Sequence, residues 1–509
     1  MELQRSSGIL MHISSLYGSD STGCFGREAR SFIDFLVDGG FTWWQVLPFC
    51  LPDGCHSPYR SYSAFGGNPY FIDIRALRDA GLLSDDEVAT SREFMPYVCD
   101  FEQLEKTRMH LLATAASRTS EEERSTIRAF IEAHPYLGQF CDFMALRAAN
   151  GDRPWYEWTN DTPDESIRFV WQFIQYYFMK QWNEVRAYAA ERGVKILGDM
   201  PIYVAYDSCD VWANRDQFDL DEKGAPRHVA GCPPDYFAED GQLWGNPLYN
   251  WKKMKEDNFS WWADRMAHML ELFDGVRIDH FRGLEAYWSI PAGAKTAREG
   301  QWVKGPGRPF IKRMQEVVAE VEARTGREAF IVAEDLGEYT PSLKKFVDDS
   351  NFPGMRVFQF AFDGDPKNIH LPYNHVKNTV SYTGTHDNNT LLGYIWELDE
   401  HTRRQALAYC GYTDEHWDTP AAYEAIIRTL LSGVADLVIL PIQDVLGFGA
   451  DCRMNTPGRS RGNWRYRVTK DQLDSINLGR YRYWNDLYGR SPAAKGANDE
   501  DEDGDENEE

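Results

Sequence analysis

The chain has 509 residues, of which 43% are hydrophobic and 26% are charged, a composition that supports a large globular core. Its formal net charge is −25 at pH 7, which argues against nucleic acid or an anionic membrane surface as a partner because both would repel the protein. Nine of the last eleven residues are acidic. We expect the tail at 491–509 to be disordered because it has no apolar surface to bury.

The nine cysteines are odd in number and form no Cys-x-x-Cys pair, a pattern typical of reduced thiols in a cytoplasmic protein. The N-terminal segment has an apolar run of only about five residues and indicates neither a signal peptide nor a membrane span. Cys50, Cys55 and His56 lack a second ligand pair at metal-binding spacing, so we predict no metal site. No glycine-rich phosphate loop joins a strand to a helix, and we predict no cofactor.

Short apolar runs that end in polar or charged residues predict eight β-strands, at 8–14, 43–48, 195–200, 275–280, 330–335, 356–360, 379–385 and 438–443. Stretches with helical periodicity lie between them, at 29–36, 171–192, 261–273, 311–325 and 421–432. This alternation predicts an α/β protein with a (β/α)8 TIM barrel.

Two intervals between the predicted strands are longer than one βα unit. The interval after the second strand contains further helical patterns at 101–116, 119–133 and 138–149. We therefore predict a catalytic barrel over 1–490 with inserted, mainly helical subdomains in its βα loops. The main insertion is expected at about 75–190, and an active-site loop region is expected at about 201–260.

The segment 274–283, DGVRIDHFRG, combines a buried-strand pattern with charged residues. Val276 and Ile278 share one face of the predicted strand, whereas Arg277 and Asp279 share the other. One interpretation is a structural ion pair that fills the barrel. The other is a functional carboxylate in a working cavity, kept ionised by its arginine.

Carboxylates stand at three predicted strand ends: Asp279, Glu334 and Asp387. Taken singly, Glu334 suits a surface acid and Asp387 suits a turn or helix cap. A buried acid is costly unless it is paired, so three acids at one barrel mouth indicate a function. Retaining glycoside cleavage needs an ionised and a protonated carboxyl group about 5–5.5 Å apart. On this hypothesis Asp279 is ionised, and Glu334 is kept protonated by neighbouring carboxylates.

Four motifs resemble, in order, the signature regions of the α-amylase clan: GDMPIYV, DGVRIDHFRG, VAEDLG and YTGTHDNNT. Three longer segments are similar to motifs of glycoside hydrolase family 77, the 4-α-glucanotransferases known as amylomaltases or disproportionating enzymes. They are SPYRSYSAFGGNPYFID at 57–73, PPDYFAEDGQLWGNPLY at 233–249 and RMNTPGRSRGNWRYR at 453–467. The resemblance covers roughly residues 7 to 485, and the acidic tail lies outside it.

The resemblance implies transfer of α-1,4-glucan segments between maltooligosaccharides by a retaining double displacement. It implies Asp279 as nucleophile and Glu334 as general acid/base. It implies Asp387 as a third carboxylate that binds sugar hydroxyls and stabilises the oxocarbenium-like transition state. It further implies an orienting role for Arg277. The implied substrate contacts are Ser57, Tyr59, Asp199, His280, Asp335, His386 and Asn463.

The loop at 233–249 bears on the choice between a transferase and a hydrolase, because water exclusion favours a sugar acceptor. Tyr236, Phe237 and Trp244 are interpreted as an acceptor-binding cover, although they could instead pin the loop to the barrel. The residues alone also leave open an α-1,4-glucan hydrolase of the same clan or a non-catalytic glycan-binding barrel. The family resemblance favours the transferase.

Overall fold

Eight parallel strands close a barrel in this computed structural model, which describes residues 3–92, 95–234, 239–459 and 461–492. The strands of the described residues are β1 (Ser6–Leu10), β2 (Trp43–Gln45), β3 (Lys195–Met200), β4 (His228–Cys232), β5 (Gln242–Pro247), β6 (Gly275–Ile278), β7 (Ala286–Pro291), β8 (Gln301–Lys304), β9 (Phe330–Ala333), β10 (Gly354–Val357), β11 (Thr379–Tyr382) and β12 (Leu437–Pro441). The barrel order is β1-β12-β11-β10-β9-β6-β3-β2, and β2 pairs with β1 to close it. The predicted α/β barrel is therefore confirmed, and each predicted strand overlaps a barrel strand.

Helices alternate with the barrel strands and also fill the long intervals. They are α1 (Arg27–Asp38), α2 (Ile74–Asp79), α3 (Asp85–Ala89), α4 (Phe101–Ser117), α5 (Glu121–Glu132), α6 (Pro135–Ala149), α7 (Glu165–Glu191), α8 (Cys209–Ala213), α9 (Trp251–Glu256), α10 (Ser260–Leu272), α11 (Arg308–Thr325), α12 (Pro341–Ser350), α13 (Leu391–Glu397), α14 (Glu400–Tyr409), α15 (Pro420–Ser432), α16 (Ile442–Leu446), α17 (Lys470–Asp474) and α18 (Leu478–Leu487). Within the described residues, every helix is too short or too polar to cross a lipid bilayer.

The sixth barrel strand begins earlier than its apolar run indicates. β10 starts at Gly354, and residues 358–360 form a 3₁₀ turn instead of continuing the strand. A Cβ atom at Gly354 would lie 2.6 Å from a carboxylate oxygen of Asp335. The absence of a side chain at Gly354 therefore makes room for the carboxylate that follows β9.

The two long intervals differ in structure. Helices α2–α6 follow β2, and α4, α5 and α6 match the predicted helical patterns at 101–116, 119–133 and 138–149. The interval after β3 instead supplies β4 and β5, which join β7 and β8 in an antiparallel sheet of order β5-β4-β7-β8. Residues of β5 and β8 are largely exposed, so neither strand has the apolar run that marks the barrel strands. The division into a barrel domain, insertions and a tail stays a prediction.

Aromatic side chains fix α7, the last helix before β3, on the barrel. The ring of Trp182 lies 4.7 Å from that of Phe49 and 5.9 Å from that of Phe273. Its indole nitrogen donates to the carbonyl of Leu272 at 3.0 Å. The chain thus returns from the helical insertion directly to β3, whose carboxyl end contributes Asp199 to the candidate active site.

Candidate active site

The end of β6 lies between the ends of β3 and β9. Asp199 of β3 is opposite Arg277, and Ile278 is opposite Ala333 of β9. Side chains of paired residues in neighbouring strands point to the same face. Arg277 therefore reaches Asp199 inside the barrel. Asp279 and Glu334 follow Ile278 and Ala333, so they stand at the carboxyl ends of neighbouring strands.

Arg277 binds two carboxylates at once. One terminal nitrogen of its guanidinium lies 2.8 Å from both oxygens of Asp199, and the other donates to Oδ1 of Asp279 at 2.8 Å. The side chains of Arg277 and Asp199 are 4% and 0% exposed, whereas that of Asp279 is 31% exposed. Burial acts to lower the pKa of Arg277, but the two carboxylates raise it well above its usual range. The arginine thus fills the barrel and also pairs with a carboxylate at its mouth.

Glu334 has different surroundings from Asp279. Its oxygens accept the backbone N–H of His280 at 2.6 Å and that of Leu336 at 2.8 Å. Burial, and then the charge of Asp279, raise the pKa of Glu334 to about 7. A substantial fraction of Glu334 therefore carries a proton at neutral pH. His280, which donates one of the two hydrogen bonds, has a left-handed backbone with φ of 53°, a costly conformation for a non-glycine residue.

Asp387 is held at the mouth by two side chains. Nδ2 of Asn455 donates to its Oδ1 at 2.6 Å, and Nε2 of His386 lies 3.4 Å from its Oδ2. Burial acts to raise the pKa of Asp387, but the His386 charge and these hydrogen bonds hold it below its usual range. The charge of Asp387 outweighs burial at His386 and raises the pKa of the imidazole. The Asp387 side chain is 49% exposed, so a carboxylate faces the solvent side of the cleft.

Tyr59 joins these two groups of charged residues. Its hydroxyl donates to Oδ2 of Asp199 at 2.8 Å and lies 3.3 Å from Nδ1 of His386. The Tyr59 and His386 rings stack with centroids 4.8 Å apart. One chain of contacts therefore runs from Asp279 through Arg277, Asp199, Tyr59 and His386 to Asp387.

The antiparallel sheet contributes Trp244 to the same end of the barrel. Trp244 of β5 packs edge-on against His280, with ring centroids 4.9 Å apart. Its indole nitrogen donates to Gln242 at 3.0 Å. Burial lowers the pKa of His280 to about 4, so the imidazole is neutral at pH 7. Tyr236 and Phe237, which were predicted to lie on the same loop, fall outside the described residues.

Ser57 and Asn463 lie in loops that their own side chains shape. Oγ of Ser57 accepts the backbone N–H of Tyr59 at 3.3 Å. Oδ1 of Asn463 accepts the backbone N–H of Thr456 at 3.0 Å, and its Nδ2 donates to the carbonyl of Arg459 at 2.9 Å. Both residues hold loops of the family-like segments in shape, and their predicted sugar contacts stay predictions.

Asp335 follows Glu334 directly but takes part in different contacts. One carboxylate oxygen accepts the backbone N–H of Met355 at 2.7 Å, and the other lies 3.2 Å from the guanidinium of Arg356. The residue is 1% exposed. The geometry places this carboxylate at the junction of β9 and β10, and its predicted sugar contact stays untested.

Most of the chain is similar to one known protein family. The family model described as 4-alpha-glucanotransferase (Glyco_hydro_77) matches residues 11–473. The chain belongs to the 4-alpha-glucanotransferase family. The predicted resemblance, and the enzyme class that it implies, are therefore confirmed.

Relatives in this family match nearly the whole chain. The 4-alpha-glucanotransferase of Synechocystis sp. is 40% identical over 511 residues, covering 96% of this chain and 98% of that protein. The 4-alpha-glucanotransferase of Thermus thermophilus is 41% identical over 503 residues, covering 95% and 98%. The solved amylomaltase from Streptococcus agalactiae in complex with acarbose has a TM-score of 0.89 and 34% identity, covering 96% of this chain and 100% of that one.

Two residues at the mouth were not among the predicted site residues of this family member. Asn455 binds Asp387, and the ring of Trp464 lies 5.7 Å from that of Tyr59 and 5.8 Å from that of His386. Both belong to the segment RMNTPGRSRGNWRYR, from which only Asn463 was predicted. That segment has no strand or helix periodicity, so its pattern does not indicate which side chains face the barrel mouth.

One group of potential metal ligands occurs among the described residues, away from the predicted site. Ligand atoms of Asp20, Cys24 and Asp73 lie within 4.8 Å of one another, and all three residues are buried. The guanidinium of Arg75 lies 3.2 Å from a carboxylate oxygen of Asp73 and 3.7 Å from the sulfur of Cys24. Burial raises the pKa of the Cys24 thiol. A cationic arginine and a neutral thiol fit a divalent metal ion poorly.

Replacing Arg277 with Met is expected to destabilise the protein, because Asp199 is left as a fully buried charge without its counter-ion. We expect the free energy of unfolding to fall by about 3–5 kcal/mol. The double variant Arg277→Met/Asp199→Asn should recover much of this loss, since it removes the unpaired charge. Urea unfolding at neutral pH measures both effects, and equal stability of the single and double variants would contradict the account.

Proposed function

We propose that this protein transfers α-1,4-glucan segments between maltooligosaccharides by a retaining double displacement. The observation that carries the proposal is the contrast between two carboxyl groups at adjacent strand ends. Asp279 accepts a hydrogen bond from Arg277, whereas Glu334 has a pKa raised to about 7 by burial and by Asp279. Retaining chemistry requires one ionised and one protonated carboxyl group. The family of the chain and the acarbose bound by its amylomaltase relative support an α-glucan substrate.

In the first step Glu334 donates its proton to the glycosidic oxygen while Asp279 attacks the anomeric carbon. Oδ1 of Asp279 is occupied by Arg277, so Oδ2 is the oxygen that forms the covalent bond. The leaving glucan departs with the proton of Glu334. The product is a glycosyl-enzyme, and Glu334 is left as a carboxylate.

In the second step the 4-hydroxyl of an acceptor glucan attacks the anomeric carbon of the glycosyl-enzyme. Glu334 takes the hydroxyl proton, and the bond to Asp279 breaks. The nucleophile and the acid are thereby restored to their starting protonation states. Two inversions at the same carbon retain its configuration.

Asp387 is proposed to bind sugar hydroxyls in the cleavage subsite. Its pKa lies below its usual range and its side chain is half exposed, so an anionic acceptor is available to a ligand. The His386 and Tyr59 contacts fix the side of the cleft from which Asp387 acts. Trp244 is proposed to cover the acceptor side, where its packing on His280 helps to exclude water.

The location of the protein is proposed to be cytoplasmic, as the odd number of cysteines supports. No observation favours the alternatives of a hydrolase or a non-catalytic glycan-binding barrel. All three carboxylates that the reaction needs are present at the mouth, and the family is a transferase family.

Purified protein incubated with maltotriose should give glucose together with a ladder of longer and shorter maltooligosaccharides, because a sugar hydroxyl resolves the glycosyl-enzyme. Anion-exchange chromatography measures the products. Asp279→Ala, Glu334→Gln and Asp387→Asn are the negative controls and should form none while remaining folded. A steady rise in reducing ends without longer products would indicate a hydrolase. Sugar binding without any product would indicate a glycan-binding barrel.

The rate of the first step should fall as pH rises above about 7, because Glu334 must be protonated to act as the acid and its pKa is about 7. Well above that pH, kcat/KM for maltotriose should decline about tenfold per pH unit. Fluoride needs little protonation to leave, so the initial burst of fluoride from α-maltosyl fluoride serves as the control. An equally steep alkaline decline for both donors would be evidence against Glu334 as the acid.

A further inference from the structure

A buried carboxylate that the proposed reaction does not use lies behind the loop of His386 and Asp387. Asp444 is 1% exposed and belongs to α16, just after β12. Its Oδ2 accepts the hydroxyl of Thr383 at 2.5 Å, and its Oδ1 accepts the backbone N–H of Leu391 at 2.7 Å. Both oxygens of one carboxylate are therefore bound to the same loop.

The two donors stand at opposite ends of that loop. Thr383 is the first residue after β11, and Leu391 is the first residue of α13. The segment 383–391, which we term the carboxylate loop, carries His386 and Asp387 in its middle. Because Asp444 contacts both ends, it fixes the separation of these ends and their position relative to β12.

Other contacts hold the middle of the carboxylate loop. Arg453 donates to the carbonyl of Asp387 at 3.0 Å, and the backbone N–H of Asn455 donates to the carbonyl of His386 at 3.2 Å. Neither contact binds the ends of the loop.

The remaining contacts of the carboxylate loop also leave its two ends to Asp444. Oδ1 of Asn388 accepts the backbone N–H and the hydroxyl of Thr385, which are contacts within the loop. The side chain of Asn389 is buried, and neither of its amide atoms has a hydrogen-bond partner among the described residues. Gln359 donates to the carbonyl of Asn389 at 2.7 Å, but from the β10 side. On the β12 side Asp444 binds both ends of the loop.

Keeping a carboxylate at this position is costly. Burial raises the pKa of Asp444 to about 7, and the two hydrogen bonds act in the opposite direction. Within the described residues, no arginine, lysine or histidine forms an ion pair with Asp444. An apolar side chain would avoid this desolvation cost but would leave Thr383 and the Leu391 N–H without their acceptor. The site therefore needs a side chain that can form hydrogen bonds with two separate groups.

We propose that Asp444 is a positioning residue for glucan transfer, which holds both ends of the carboxylate loop so that Asp387 and His386 face the sugar bound at Asp279. The inference rests on the proposed function. It concerns a residue that contacts neither the sugar nor the reacting atoms. Loss of the attachment is expected to misplace Asp387 and to lower kcat more than it raises KM for the donor, because Asp387 acts on the transition state.

Four variants test the two hydrogen bonds. Asp444→Leu keeps the branched shape of the side chain and removes both acceptors, and Thr383→Val removes one donor. Asp444→Asn keeps both contacts, because its oxygen can accept from Leu391 while its NH2 group donates to the Thr383 hydroxyl. Thr383→Ser keeps the hydroxyl. Saturating maltotriose gives kcat for each folded variant, and its concentration dependence gives KM.

We expect kcat to fall about ten- to a hundredfold in Asp444→Leu, the range typical of misplaced catalytic groups, with KM changed far less. Thr383→Val should lower kcat by a smaller factor, and Asp444→Asn and Thr383→Ser should keep values close to wild type. If Asp444→Leu does not fold, the pair Thr383→Val and Thr383→Ser still decides the matter. Wild-type kcat in folded Asp444→Leu or in Thr383→Val would overturn the proposal, as would equal losses in Asp444→Asn and Asp444→Leu.

Met314→Ala on α11 is the matched stability control. Met314 is fully buried, and its truncation should lower Tm through lost packing without changing kcat per folded molecule. A fall of kcat in this control that equals the fall in Asp444→Leu would also overturn the proposal. The wild-type protein in the same assay separates the two levels of inference. Absence of longer products from the wild type means that the proposed function has failed, whereas wild-type turnover in Asp444→Leu means that only the positioning role has failed.

Discussion

The guanidinium of Arg277 is the contact on which the barrel mouth depends. It binds both oxygens of the fully buried Asp199 on one side and Oδ1 of Asp279 on the other. Without it, Asp199 would be an isolated charge inside the barrel, a state that costs several kcal/mol. Since Asp199 also accepts the Tyr59 hydroxyl, the same contact supports the residues that lead to His386. The ion pair therefore organises both sides of the cleft.

Asp279 and Glu334 differ in their surroundings because this network includes only one of the two carboxyl groups. Asp279 shares the arginine and faces partly into solvent, whereas Glu334 is buried and accepts hydrogen bonds from two backbone N–H groups. Burial and the charge of Asp279 both raise the pKa of Glu334, and the arginine compensates only in part. The contrast between the two carboxyl groups is thus a consequence of strand register, because Asp279 and Glu334 follow the paired residues Ile278 and Ala333 of neighbouring strands.

The barrel and its carboxylates could be predicted because both leave short-range signals. Buried parallel strands form apolar runs, and their carboxyl ends meet at one face of a barrel. The antiparallel sheet escaped prediction because its outer strands are exposed and carry no apolar run. Asn455, Trp464 and Asp444 escaped because their contacts depend on loop geometry, as the left-handed backbone of Trp464 illustrates. Asp335 shows that adjacency in sequence does not predict shared contacts: it follows Glu334 directly, but its side chain contacts Arg356 on β10.

If Asp279 forms a covalent bond to the sugar while Glu334 moves the proton, the glycosyl-enzyme can be trapped and identified. In the Glu334→Gln variant, α-maltosyl fluoride can still react because fluoride leaves without an acid, but no base remains to activate an acceptor. We predict that mass spectrometry of the digested protein finds a maltosyl group on the peptide that contains Asp279. Release of fluoride with no labelled peptide, or a label on any other residue, would contradict the account.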